Sequence, residues 1–188
     1  MTNPAYHATL CDPSDSQLVV VDIQERLAAA MDEKVRAQVV NNTRILIQAA
    51  TLLEIPMTAT EQYPKGLGVT VPELSERLPE SATTMEKTCF SGCAASGFEA
   101  SLTRRQVILA GMESHVCVLQ TALELHALGR QVFVVEDAVC ARRKPNHKNA
   151  LARLRQAGVV VSNTESVLFE WLRDAQNEHF KTLSRLIK

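Results

Sequence analysis

Nowhere in the 188 residues do about 18 apolar residues run together, so no membrane-spanning helix is expected. The N-terminal stretch carries Asp12 and Asp15 and has no basic segment leading into an apolar one, so it does not read as a secretory leader. Charge of one sign is missing too. The 20 Lys and Arg are mixed with 21 Asp and Glu, and the net charge of -1 leaves no electrostatic footprint for nucleic acid or an anionic membrane. The densest basic run, Arg142-Arg143-Lys144, reads as a solvated loop, with a substrate-anion clamp as the alternative. The five cysteines, Cys11, Cys89, Cys93, Cys117 and Cys140, are too few and too scattered for a disulfide framework. Their number is odd, so at least one thiol is unpaired within the chain; a soluble cytoplasmic protein is expected. There is no internal repeat and no low-complexity tract. The length fits a single domain over residues 1–188, large enough to bury roughly two-thirds of its unfolded surface.

What is present alternates. Residues 1–16 are polar and irregular, and then Leu18-Val19-Val20-Val21 forms an apolar run that ends at Asp22-Ile23-Gln24, the pattern of a strand buried on both faces. From Glu33 to Leu53 apolar residues recur at helical spacing, and Pro56 stops them. Met57 to Thr60 reads as a second strand, followed by a Gly/Pro-rich loop over 61–68. Pro72 and Pro79 bracket a short helical piece, and Ala82 to Glu86 reads as a third strand ending at Lys87. A brief helix over Phe98 to Thr103 precedes the strand Gln106 to Ala110. The turn Gly111-Met112-Glu113-Ser114-His115-Val116 then leads into a helix beginning near Cys117 and ended by Gly129. Val132 to Val135 is a fifth strand terminating in Glu136-Asp137. Asn146 caps a helix through Ala157, Val159 to Val161 is a sixth strand, and residues 162–188 supply two C-terminal helices. Such alternation predicts an α/β protein with a parallel sheet covered on both faces.

Asp22, Lys87 and Cys117 each fall at or just beyond the C-terminal end of an expected strand. Those ends share one edge of a parallel sheet, so residues far apart in the chain meet there. Each has a plainer alternative: Asp22 as a helix cap, Lys87 as a surface lysine, Cys117 as a small residue packed between strand and helix. Together they make chemical sense. A carboxylate is a base for a thiol, an ammonium stabilises the thiolate, and a helix N-terminus eases loss of the thiol proton. A dinucleotide-dependent oxidoreductase would need glycines in the turn after the first strand, and Asp22-Ile23-Gln24-Glu25-Arg26-Leu27 has none. Cys89-x3-Cys93 lacks partner ligands at zinc-site spacing, and His7, His126, His147 and His179 are dispersed.

Val21-Asp22-Ile23-Gln24, Glu86-Lys87-Thr88-Cys89-Phe90-Ser91 and Gly111 to Val118 with Thr121-Ala122 resemble the three signature segments of the isochorismatase-like cysteine hydrolases. The likeness runs from about Leu18 to Phe169. Within the family, Thr60 to Gly68 and the ending Phe180-Lys181-Thr182-Leu183 look most like the isochorismatase-domain-containing branch. Alternation and resemblance together give the expected fold: a three-layer α/β/α sandwich around a six-stranded parallel sheet, Rossmann-like, in the order 3-2-1-4-5-6.

The resemblance implies roles. Asp22 is the general base, Lys87 the cation that stabilises the thiolate, and Cys117 the nucleophile that forms an acyl-thioester, which water then cleaves. It also implies a cis peptide between Met112 and Glu113, aiming the N–H groups of Glu113 and Cys117 at an oxyanion. The nicotinamidase branch holds a metal with aspartate and histidines in the loop after the second strand. That loop here has Gln62, Pro64 and no histidine, so neither metal nor cofactor is expected. Isochorismatases proper lack the cysteine, so Cys117 favours hydrolysis of a small amide or related acyl compound. Ser114-His115 replaces the more usual Thr-Asp pair, which leaves His115 as a substrate contact, a helix cap or an interface residue. Gln24, Tyr63 and Phe90 complete the candidate substrate pocket. Family members commonly self-associate, so a homo-oligomer, dimer or tetramer, is expected, with Phe169, Trp171 and Phe180 offering apolar surface. The competing reading is an inactive family member whose role is partner binding.

Overall fold

A run of Val and Leu with no polar interruption is stable as a strand only between two strands and beneath helices on both faces, and β1 (Ser16–Val21) has that setting. Every residue of β1 is buried; it pairs in parallel with β2 (Met57–Gln62) on one side and β4 (Gln106–Met112) on the other. The computed structural model describes residues 9–187, so the first part of the expected lead-in, residues 1–8 with His7, lies outside the described residues. The described residues form a six-stranded sheet in the order β3-β2-β1-β4-β5-β6, with β3 (Thr83–Lys87) at one edge and β6 (Val160–Ser162) at the other beside β5 (Gln131–Cys140). All its pairings are parallel, which is the expected topology.

Odd and even residues of the central strands feed two cores. Leu18, Val20, Ile108, Ala110 and Phe133 pack with α2 (Glu33–Leu52) and α8 (Thr164–Leu172). Val19, Val21, Val107, Leu109 and Val134 pack with α6 (Cys117–Ala127) and α7 (Lys144–Gln156). Each fully buried Val, Leu or Ile contributes about 1.5–3 kcal/mol, and burial on both faces leaves the strands no freedom to slip register.

Several boundaries differ from expectation. β2 continues to Gln62, so Glu61 and Gln62 are strand, and the loop behind them holds α3 (Pro64–Leu67). The short α1 (Glu25–Ala29) follows β1, α4 (Pro72–Ser75) lies between the two prolines, a 3-10 turn spans Gly92–Ala94, and α5 (Phe98–Ser101) precedes β4. β5 runs on to Cys140, with a register shift opposite Leu109 and Gly111. Asn146 is not a cap: α7 starts at Lys144, because Pro145 has the fixed φ suited to a first helical turn. The last helix shrinks to α9 (Phe180–Leu183). Trp171, expected on the surface, is 1% exposed and its indole N–H donates to Ser16 Oγ at 3.0 Å, while Phe169 remains 41% exposed. On α8 the two sit two positions apart, which puts them on different sides of the helix.

Candidate active site

The three candidate residues reach one spot because three strand ends do. Chain direction breaks at Asp22, whose φ of 51° is a left-handed value that aspartate tolerates better than most residues. Its N–H still donates to Thr60 O of the neighbouring strand at 3.0 Å, and its carboxylate is wholly buried. Thr60 Oγ1 donates to Asp22 Oδ1 at 2.7 Å. In the β2–β3 register Gln62 stands beside Lys87. The Lys87 ammonium, also with no exposed side-chain surface, donates to Asp22 Oδ2 at 2.7 Å, Gln62 Oε1 at 2.8 Å, and the carbonyls of Phe90 and Cys89 at 3.0 and 3.2 Å. Lys87 is therefore no surface lysine.

Cys117 is the first residue of α6, and the helix has no side-chain cap. Of its first-turn N–H groups, that of Val118 is taken by Glu113 O at 3.3 Å. Cys117 is 5% exposed, and its thiol interacts with the Asp22 carboxylate. Here the structure corrects the expectation of an easily ionised thiol. Burial, then the Asp22 carboxylate, push Cys117 up from 9.0 to about 12, and the Lys87 ammonium only partly offsets them. A helix N-terminus contributes about 1 kcal/mol, too little to win against desolvation. Asp22 is itself raised above 3.8 by burial, while Lys87 and the hydrogen bonds from Thr60 and Cys117 pull it down. The resting arrangement is a neutral thiol against a carboxylate held by an ammonium.

The turn before Cys117 is tightly built. Gly111 has φ 143°, and a Cβ there would lie 2.1 Å from Val21 O, so only glycine lets β4 approach β1 at this point. The Met112–Glu113 peptide is cis. Glu113 O accepts from the N–H groups of Val116 at 3.0 Å and Val118 at 3.3 Å, and Ser114 N donates to Cys140 O at 2.6 Å.

The remaining candidates divide. Gln24 is buried and its amide is engaged by backbone: Nε2 donates to Gln62 O and Gly68 O, and Oε1 accepts from Gln62 N. That brackets the loop after β2. His115 Nε2 lies 3.2 Å from Asn146 Nδ2, and its enclosed Nδ1 has no hydrogen-bond partner among the described residues. Tyr63, 55% exposed, lines a cavity of about 460 Å³ together with Lys65, Glu86, Lys87, Thr88 and Cys89. Asp22 and Cys117 are not in its lining. Phe90 is 54% exposed. Arg142 is no free clamp, because its guanidinium is paired with Glu113. Thr60 and Gln62 were missed by sequence reasoning; the signal was their place in the parallel register, Thr60 beside Val21, one residue before Asp22, and Gln62 beside Lys87. Among the described residues no group of three or more His, Cys, Asp or Glu is gathered to hold a metal ion, and no helix is long and apolar enough to cross a membrane.

Known proteins resemble this chain in sequence and in fold along nearly its whole length. The isochorismatase domain matches residues 16–166. Isochorismatase domain-containing protein 2 of Bos taurus is 38% identical over 178 residues, covering 94% of this chain and 84% of that protein. The structure of MAR1 ribonuclease from Caenorhabditis elegans has a TM-score of 0.89 at 38% identity, covering 95% of this chain and 92% of that one. The YcaC gene product of Escherichia coli, described as an octameric hydrolase of unknown specificity, has a TM-score of 0.88 at 26% identity, covering 99% and 91%. A domain match over most of the chain, joined to 38% identity along nearly its whole length, makes this protein a member of the isochorismatase-like hydrolase family.

Proposed function

We propose that the chain is a single-domain, metal-independent cysteine hydrolase acting on a small amide or related acyl compound. The observation that carries the reading is the buried set in which Lys87 holds the Asp22 carboxylate at 2.7 Å while the Cys117 thiol, itself buried, interacts with that same carboxylate. Asp22 takes the thiol proton as Sγ attacks the carbonyl carbon, the S–C bond forms, and the carbonyl π pair moves onto oxygen. The N–H groups of Glu113 and Cys117 receive that oxyanion, a stabilisation worth a few kcal/mol. Collapse breaks the C–N bond, and the amine leaves with the proton from Asp22. Water then gives a proton to Asp22, attacks the thioester, and the expelled thiolate recovers that proton. The raised Asp22 value suits this role, since a base works best when its pKa lies close to the working pH. Lys87 stabilises the thiolate in both half-reactions.

The substrate is small in this reading, since Asp22 is 0% and Lys87 and Cys117 are each 5% exposed, leaving no room for a polymer beside the sulfur. A net charge of -1 gives no positive track for the backbone of a nucleic acid, which favours a small compound over the RNA implied by the name of the worm protein. Tyr63 and Phe90 border the approach. Self-association belongs to the proposal, by analogy with the octameric bacterial neighbour. A reducing, cytoplasmic setting does too, since all five cysteines are unpaired. The test is a panel of small amides scored by ammonia or amine release. Turnover by the wild type that disappears in Cys117→Ala supports the proposal, and turnover that survives the substitution removes it.

A further inference from the structure

Outside the Asp22, Lys87 and Cys117 set, the most constrained charge is the Glu113 carboxylate. It belongs to the turn that carries Cys117, and its side chain is only 6% exposed. Three groups from the end of β5 and the residues just beyond it close on this turn. Cys140 O accepts from Ser114 N at 2.6 Å. Arg142 N donates to Glu113 Oε2 at 3.0 Å. The Arg142 guanidinium brings Nε to 3.1 Å from both carboxylate oxygens and a terminal nitrogen to 3.1 Å from Oε1. Such a fork fixes orientation as well as charge. Arg142 itself is 59% exposed on its side chain, so nothing in the core requires it to be there.

We infer that Arg142 is a positioning residue for the reaction, clamping the Glu113 carboxylate so that the turn stays set before Cys117 and the negative charge of Glu113 is kept from bearing on the sulfur. The inference rests on Cys117 as nucleophile, and its geometry stands independently of any substrate. The charged groups around the thiol are Asp22 at the end of β1, Lys87 at the end of β3 and Glu113 in the turn; facing Glu113 are the charged Arg142 and the neutral, buried Cys140 thiol. Two of the three facing the sulfur are acids. Glu113 already helps to hold the thiol protonated, and without its counter-ion it does so more strongly. Glu113 O also accepts from Val116 and Val118 N–H, so carboxylate and helix start move as one piece.

The test is the rate of Cys117 carbamidomethylation by iodoacetamide against pH, read on the Cys117 peptide by mass spectrometry, which needs no substrate. Arg142→Ala is expected to lower the rate at fixed pH roughly tenfold, moving the profile about one pH unit upward, the size of effect a close uncompensated like charge produces. Arg142→Lys, which keeps the charge and loses the fork, should fall between. Arg142→Ala combined with Glu113→Gln should return the profile to that of the wild type, because the charge to be offset is gone. If Arg142→Ala leaves the profile in place and only lowers the melting temperature, the residue is a structural brace and the inference fails. It fails too if Glu113→Gln does not restore the shift. Turnover that persists in Cys117→Ala would instead defeat the hydrolase reading while leaving these alkylation results intact.

Discussion

Replacing Lys87 by Met removes the ammonium buried against Asp22. Four acceptors lose their proton donor: Asp22 Oδ2, Gln62 Oε1, and the carbonyls of Phe90 and Cys89. The largest effect is the unpaired carboxylate, since Asp22 and Lys87 both have 0% side-chain exposure, and breaking a buried pair from one side costs about 3–5 kcal/mol. That cost depends on pH in a defined sense. Asp22 is already raised above 3.8 in the fold, so its proton is held more readily folded than unfolded. The stability linked to that proton is complete below 3.8 and is lost as pH rises through the folded value. Lys87 is the main influence pulling the folded value down, so its removal widens the window. Urea unfolding followed by Trp171 fluorescence, a single buried indole, is the assay. The Lys87→Met deficit should be full at pH 7 and shrink toward pH 4. Adding Asp22→Asn should recover most of it, because a neutral pair replaces the orphaned charge. A deficit that is absent at neutral pH, or equally large at pH 4 and 7, or undiminished in the double variant, would show that no buried charge is orphaned when Lys87 is removed.

Burial that pushes Cys117 up to about 12 means its alkylation by iodoacetamide should climb about tenfold per pH unit from pH 7 to 10, and a plateau near the unperturbed value of about 8.5 contradicts this. Gly111→Ala should cost about 3 kcal/mol or more in denaturant midpoint experiments, since its Cβ would sit 2.1 Å from Val21 O at a φ of 143°; wild-type stability would show that β4 and β1 can separate there.

Much of this fold is written in local pattern. The continuous apolar runs at Leu18 and Val107 occupy central parallel strands, and Pro56 and Gly129 end helices where they should. Lys87 at the end of an exposed edge strand was legible only because its neighbours in the sequence formed a recognisable segment; nothing in its own surroundings announces a buried ammonium. What was not legible depends on register and on burial. Gln62 reads as loop because it is polar, yet it continues β2 to receive Lys87. Asn146 has the look of a cap but pairs with His115, because Pro145 had already set the helix start. The ionisation of Cys117 could not be read from its place at a helix N-terminus. Position along the chain gives the dipole, whereas desolvation and the nearby carboxylate come from the fold and outweigh it. Arg142 looked solvated because its exposed guanidinium is one end of a contact whose other end, Glu113, lies in a different segment.

Rapid-quench mass spectrometry of the protein during turnover of an amide it hydrolyses tests the hydrolase reading most directly. A covalent increment equal to the acyl group is expected, located on the Cys117 peptide and absent from Cys117→Ala, with the adduct forming more slowly in Asp22→Asn. Product appearing at the wild-type rate with no mass ever added to Cys117 would contradict it.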